Sequence, residues 1–215
     1  MSRQILRSDI DQMEKRYRAN LINSLTGFKA INLIGTVNAQ GQTNLAIFNS
    51  TVHLGANPPL MGFIQRPVSV RRDTHANILQ TKHFTINHLH KGIMEQAHQS
   101  AARYDADVSE FEATGLTPYF SDTLPAPYVA ESHIRIGLQF RQAIPIPLNN
   151  TILMIGEIIE ILLPETLLSK DGYLDLEAAG SLTGSGLDGY HQPQKLERLS
   201  YAKPDQSISR IPFLQ

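Results

Sequence analysis

The densest concentration of chemically capable side chains is the run Arg71-Arg72-Asp73-Thr74-His75-Ala76-Asn77. Two guanidinium groups, a hydroxyl and a carboxamide follow one another where helix-forming residues begin. A helix start exposes N–H groups that no upstream carbonyl satisfies, and its dipole favours an anion. With arginines beside it, such a segment suits a phosphate dianion. Asp73, itself an anion, is expected to point away and cap the helix; a solvated surface N-cap at Asp73 or Thr74 is the plainer reading of the same residues. Earlier in the chain, an apolar run at 44–48 gives way to Asn49-Ser50-Thr51 after Phe48. Main chain and short polar side chains there could meet a flat polar ring. Residues 44–77 together suggest a cofactor with a phosphate at one end and a heteroaromatic ring at the other.

Other candidates are weaker. His83, His88 and His90 form the one histidine cluster, and His88 and His90 would share a strand face. With no carboxylate or cysteine beside them, solvated strand histidines are the expectation and no metal is assigned. The chain has no cysteine, which excludes disulfides and thiolate chemistry. Lys plus Arg number 19 against 20 for Asp plus Glu, and no basic run interleaves with aromatics, so nucleic acid is not the expected partner. The N-terminus has no apolar core of a secretory leader, and the longest apolar run, 151–163, is short and interrupted by Glu157 and Glu160. A cytoplasmic protein that does not enter the membrane is expected.

The elements that must position these residues are mostly strands. Residues 30–37 and 44–52 read as a hairpin turning at Asn38-Ala39-Gln40-Gly41, and 60–65 as a further strand after a loop closed by Pro58-Pro59. Residues 84–89 alternate, as do 134–141, and 151–163 is β-branched enough for a core strand. A helix over about 9–20, with Ser8 as N-cap and Asp11 in the capping-box position, and helix-forming residues at 91–99 are additions. Residues 103–127 are a polar excursion, Pro164 opens a helical turn, and Lys170-Asp171-Gly172 a tight turn. From Gly180 onward the chain reads as a tail wrapping the barrel or a partner. One domain is expected, with its barrel at about 28–165 and a C-terminal extension at 166–215: mainly β, a small antiparallel barrel with short helical additions.

Several runs in chain order resemble one family: 32–50, Asn57-Pro58-Pro59 through Phe63, 72–78, 84–87, 109–118, Glu131-Ser132, 155–157, Asp171-Gly172 and Gly189-Tyr190. Together they resemble the flavin reductase-like, FMN-binding split-barrel family. That resemblance implies a six-stranded antiparallel split barrel, a homodimer with FMN near the subunit interface, and reduction of flavin by NADH or NADPH. It further implies that Phe48, Asn49, Ser50 and Thr51 face the flavin ring. Arg72, Thr74 and Asn77, with Arg71 beside them, would hold the phosphate, and Asn87 is a further candidate. The family commonly has Ser where this chain has Asn49, which alters the hydrogen bonding available to the ring, and Glu-Cys where it has Gly137-Leu138. Hydride transfer between cofactors needs no side-chain nucleophile or base, so no catalytic residue is assigned. A monooxygenase or other redox partner is compatible with this reading. The alternative is a non-enzymatic FMN carrier or flavin store, and a related split-barrel fold that oxidises pyridoxamine phosphate lacks matching runs here.

Overall fold

The structure, a computed structural model, describes residues 2–105 and 107–213. Its centre is an antiparallel sheet of seven strands: β1 (Asn32–Val37), β2 (Thr43–Phe48), β3 (Thr51–Ala56), β4 (Pro59–Gln65), β5 (His83–His88), β6 (Arg135–Ile146) and β7 (Thr151–Leu162). Their spatial order is β2-β1-β5-β6-β7-β4-β3. β2 and β3 are consecutive in the chain yet stand at opposite ends of the sheet. Only Asn49 and Ser50 join them, a link that spans about 10 Å when extended. The sheet therefore curls until its edges meet, forming a barrel with a seam that carries no strand ladder. A side chain bridges the seam instead: Asn32 Nδ2 donates to Thr51 Oγ1 at 2.7 Å, while Ser50 Oγ, 3.2 Å from Ile64 O and accepting the Ile64 N–H, ties the link to β4.

This split barrel has one more strand in its main sheet than expected. The extra strand arises because the run 44–52 is two strands, not one, broken at the seam. The expected N-terminal helix is likewise two, α1 (Arg7–Gln12) and α2 (Lys15–Ser24). Ser8 does not cap; Asp9 Oδ2 accepts the Leu6 N–H at 2.8 Å, and Glu14 caps α2 through the N–H groups of Arg16 and Tyr17. The turn at 38–41 and the strand ranges near 84–88 and 151–162 agree with the sequence reading, while the strand expected at 134–141 runs on to Ile146.

Neighbouring residues on a strand face opposite ways, and β1 uses both faces. Ile34 points into the barrel with Phe63, Phe84, Ile86, Leu138 and Met154, while Leu33 joins Leu45, Ile93, Ala97 and Phe111 under the outer helices. Those helices are α4 (Met94–Gln99) and α5 (Glu110–Thr114), and Ile78 of α3 (Asp73–Thr81) packs into the barrel core. A row of small residues, Gly35, Thr85 and Gly137, crosses three adjacent strands in register. It lets the segment at 124–129 lie directly on the sheet. A Cβ at Gly35 would collide with the Pro127 carbonyl oxygen, and one at Gly137 with the Tyr128 hydroxyl and Leu124. Beyond the barrel, Thr183–Ser185 and Gly189–His191 form a hairpin that pairs with Lys29–Ala30.

Candidate functional site

The seam opens onto a cleft of about 560 Å³. Its walls come from the end of β2 and the link after it (Phe48, Asn49, Ser50), the end of β4 and the loop that follows (Ile64, Gln65, Arg66, Val70), the start of α3, the loop after α4 (Ser100, Arg103, Tyr104), and the C-terminal hairpin (Leu187, Tyr190). Residues distant in sequence meet here because the barrel closes at Asn49–Ser50.

Helix α3 sets one end. Arg72 is its N-cap residue and, having no acceptor, supplies no side-chain cap, and Arg72, Asp73 and Thr74 at this helix start line the cleft. The Arg72 Nε donates to Pro67 O at 3.3 Å. Thr74 is held by a buried network: Asn44 Nδ2 donates to both Thr74 Oγ1 and Thr36 Oγ1 at 3.2 Å, and Asn77 Nδ2 donates to Thr36 Oγ1 at 3.1 Å. The Thr74 hydroxyl proton has no acceptor among the described residues, which leaves it available as a donor. Asp73 does not cap the helix. It is the first helical residue, and its carboxylate takes Arg71 Nε at 2.7 Å, because both side chains lie on the same exposed edge.

Charge favours an anion. Four arginines, 66, 71, 72 and 103, line the cleft against two carboxyl groups, Asp73 and Glu110. Burial pushes the Glu110 carboxyl up from its ordinary range, opposed by the Leu45 N–H that its Oε2 accepts at 3.0 Å. Burial, then the nearby Asp188, likewise raises the Tyr190 phenol, whose oxygen lies 2.8 Å from His98 Nδ1.

Of the residues singled out from sequence, Phe48, Asn49, Ser50, Arg71, Arg72 and Thr74 line this cleft. Phe48 packs edge-on against Phe63, with ring centres 4.8 Å apart. Asn49 Nδ2 donates to Gly186 O at 3.0 Å, so the side chain longer than serine ties the barrel to the C-terminal hairpin. Asn77 lines a small polar recess beside the cleft, shared with Arg71, Asp73 and Glu110. Thr51 and Asn87 are not among the lining residues. Thr51 is used in the seam, and Asn87 is fully buried, its amide donating to Leu33 O and Thr85 Oγ1 and accepting the Val129 N–H. Gln65, Arg66, His98, Arg103 and Glu110 were not singled out, since each is an ordinary residue type that only the barrel's closure brings to the cleft.

The histidines separate. His83 Nδ1 bonds Thr81 O, His88 Nδ1 bonds Ser181 Oγ, and His90 stacks on His133 with ring centres 4.3 Å apart. No group of three or more His, Cys, Asp or Glu able to hold a metal is found among the described residues. No helix among them is long and apolar enough to cross a membrane.

The family model of the flavin reductase like domain matches residues 27–177. The chain belongs to this family. A split-barrel protein of flavin-reductase type from Shewanella frigidimarina is 47% identical, with a TM-score of 0.90 over 94% of this chain and 100% of that one. Nitrilotriacetate monooxygenase component B from Bacillus cereus shares the fold at 23% identity and a TM-score of 0.81, covering 92% of this chain and 100% of that one. So does the 2-nitrobenzoate 2-nitroreductase of Pseudomonas fluorescens, at 21% identity and a TM-score of 0.80 over 95% and 99%. The family model stops before the C-terminal hairpin, so Leu187 and Tyr190 lie outside the matched region.

The residues present fit a flavin with a phosphate. The α3 N-terminus and Arg72 offer donors for a dianion, and the ring end offers apolar Phe48 and Ile64 beside polar Asn49, Ser50 and Gln65.

Proposed function

We propose that this protein binds FMN in the seam cleft and transfers hydride from NADH or NADPH to flavin. One observation carries the reading: the N-terminus of α3, lacking a side-chain cap and flanked by Arg72, opens into the same cleft as the polar junction Phe48-Asn49-Ser50. An anion site and a ring site at two places in one cleft match a ligand with a phosphate and a flat heterocycle.

When bound, FMN supplies the ring position that accepts hydride from the nicotinamide. The chain's own residues bind and orient. Arg72, the Thr74 hydroxyl and the first N–H groups of α3 hold the phosphate; Arg71, committed in part to Asp73, adds field more than contact. Phe48 supplies a wall for one side of the ring, its own ring fixed by Phe63. Ser50 and the backbone at 49–50 hold the polar edge, and Asn49 keeps the C-terminal hairpin over that end through Gly186. Tyr190 and Leu187 bound the open side, where a second planar molecule enters. A homodimer is part of the proposal; the exposed Val52 and Leu54 on β3 give it an apolar surface, and sedimentation measures it.

The test is an absorbance spectrum of the purified protein with FMN under anaerobic conditions, followed by NADH and then NADPH. Bleaching of the bound flavin within seconds by either nicotinamide is the expected result. Bound flavin that bleaches only with dithionite would overturn the enzymatic half and leave a carrier. No bound flavin would overturn both.

A further inference from the structure

Among the described residues three buried side-chain atoms have no hydrogen-bond partner: Gln65 Oε1, Ser132 Oγ and Arg135 Nε. Of the three residues, only Gln65 lines the cleft. It ends β4 and is 3% exposed. Its Nε2 lies 3.2 Å from Arg66 O. A carbonyl oxygen accepts and cannot donate, so this contact fixes which end of the amide is nitrogen and leaves Oε1 as the orphan acceptor. Two residues earlier on the same strand face, Phe63 packs edge-on against Phe48 and Phe84. Gln65 therefore stands one pleat further along the inner face, where the barrel interior gives way to the cleft beside Phe48 and Ser50.

A buried amide oxygen without a donor costs stability, whereas leucine or methionine would fill the same volume without that cost. A donor that comes with a ligand would supply the missing partner. Along the polar edge of an oxidised isoalloxazine, N1, N5 and the two carbonyl oxygens are acceptors; the imide N3–H is the one donor. We propose that Gln65 is a specificity-determining residue for the cofactor, its Oε1 accepting the imide N3–H of the flavin ring. The inference rests on the FMN reading above and adds which side chain reads the ring. A flavin without that proton leaves Gln65 unsatisfied and meets a methyl group where the amide oxygen needs a donor.

The experiment compares FMN with N3-methyl-FMN, binding each to the wild-type protein and to Gln65→Leu, with flavin fluorescence as the readout. Wild type is expected to bind FMN roughly tenfold or more tighter than the N3-methyl analogue, the order of one lost hydrogen bond plus an unpaired group. In Gln65→Leu the two affinities converge, FMN weakening towards the analogue. Equal affinities in wild type, as when an ordered water satisfies Oε1, would overturn the inference, and so would a discrimination that survives unchanged in the variant. Should Gln65→Leu not fold, the wild-type comparison alone decides. Failure of the protein to bind either flavin would refute the FMN reading itself and remove this inference with it, an outcome distinct from equal binding of both.

Discussion

Replacing Arg72 with alanine isolates the phosphate end of the cleft. Among the described residues the Arg72 side chain makes one hydrogen bond, from Nε to Pro67 O at 3.3 Å, and it is half-buried. Losing that bond costs the fold about 1 kcal/mol at most, so the variant folds. The terminal amino groups remain for ligand, and one charge-assisted hydrogen bond to a phosphate is worth roughly 1.5–3 kcal/mol. At about 1.4 kcal/mol per tenfold, the Kd for FMN should rise about 10- to 150-fold. Riboflavin has the same ring and no phosphate, so its Kd should change by about threefold or less, within the usual additivity of separate contacts. Arg72→Lys keeps the charge but not the planar fork and should fall between the two. The assay is quenching of flavin fluorescence, with FMN and riboflavin titrated in parallel. An unchanged Kd for FMN would refute the assignment, and equal weakening of both flavins would show that Arg72 acts on the ring or the fold.

Three further outcomes follow from the geometry. Thr74→Val removes the hydroxyl but keeps its shape; Asn44 retains Thr36 as acceptor, so melting should shift little while FMN weakens about tenfold, and titration beside a thermal melt checks both. Gly137→Ala drives a methyl into Tyr128 and Leu124 and should destabilise by about 1–3 kcal/mol or more in urea unfolding, without altering the FMN Kd of the folded fraction. Burial holds His88 at about 4 against its ordinary 6.5. The unfolded chain therefore takes up a proton first, so stability is full above pH 6.5 and declines as pH falls from 6.5 towards about 4, by roughly 3 kcal/mol in all. Urea midpoints measured across that window should flatten in His88→Asn, and an unaltered slope would show that other groups govern the acid side.

Much of the barrel is legible in the chain. Ile134, Ile136 and Leu138 alternate with polar or small residues, and a strand forms there, though it runs on past the alternation to Ile146. Asn38 through Gly41 turns as its residues suggest, Gly41 adopting φ +82°. The break at Asn49–Ser50 is not legible, because Thr51 and Val52 continue the β-forming character of 44–48 and no Gly or Pro marks a corner. What breaks the strand is long-range: β2 has β1 as its partner, β3 has β4, and the two edges meet without pairing. The split between α1 and α2 is local but unmarked by apolar periodicity, since neither helix buries a residue. At the site, the residues at 71–77 could be picked out because a helix start beside cations is a sequence-local feature. Gln65 and His98 could not be assembled, since their meeting depends on the end of β4 and the last turn of α4 reaching one cleft. Asn87 misleads for the opposite reason. Its position at a strand end suits a ligand, yet it is fully buried, with two of its hydrogen bonds staying within the sheet, to Leu33 O and Thr85 Oγ1, and the third holding Val129 to that sheet.

The most direct measurement is a crystal structure of the protein soaked with FMN. The account predicts the phosphate on the first turn of α3, within hydrogen-bond reach of Arg72 and Thr74, and the ring between Phe48 and the C-terminal hairpin. Density for FMN at any other surface, or a phosphate held by residues away from α3, would contradict it.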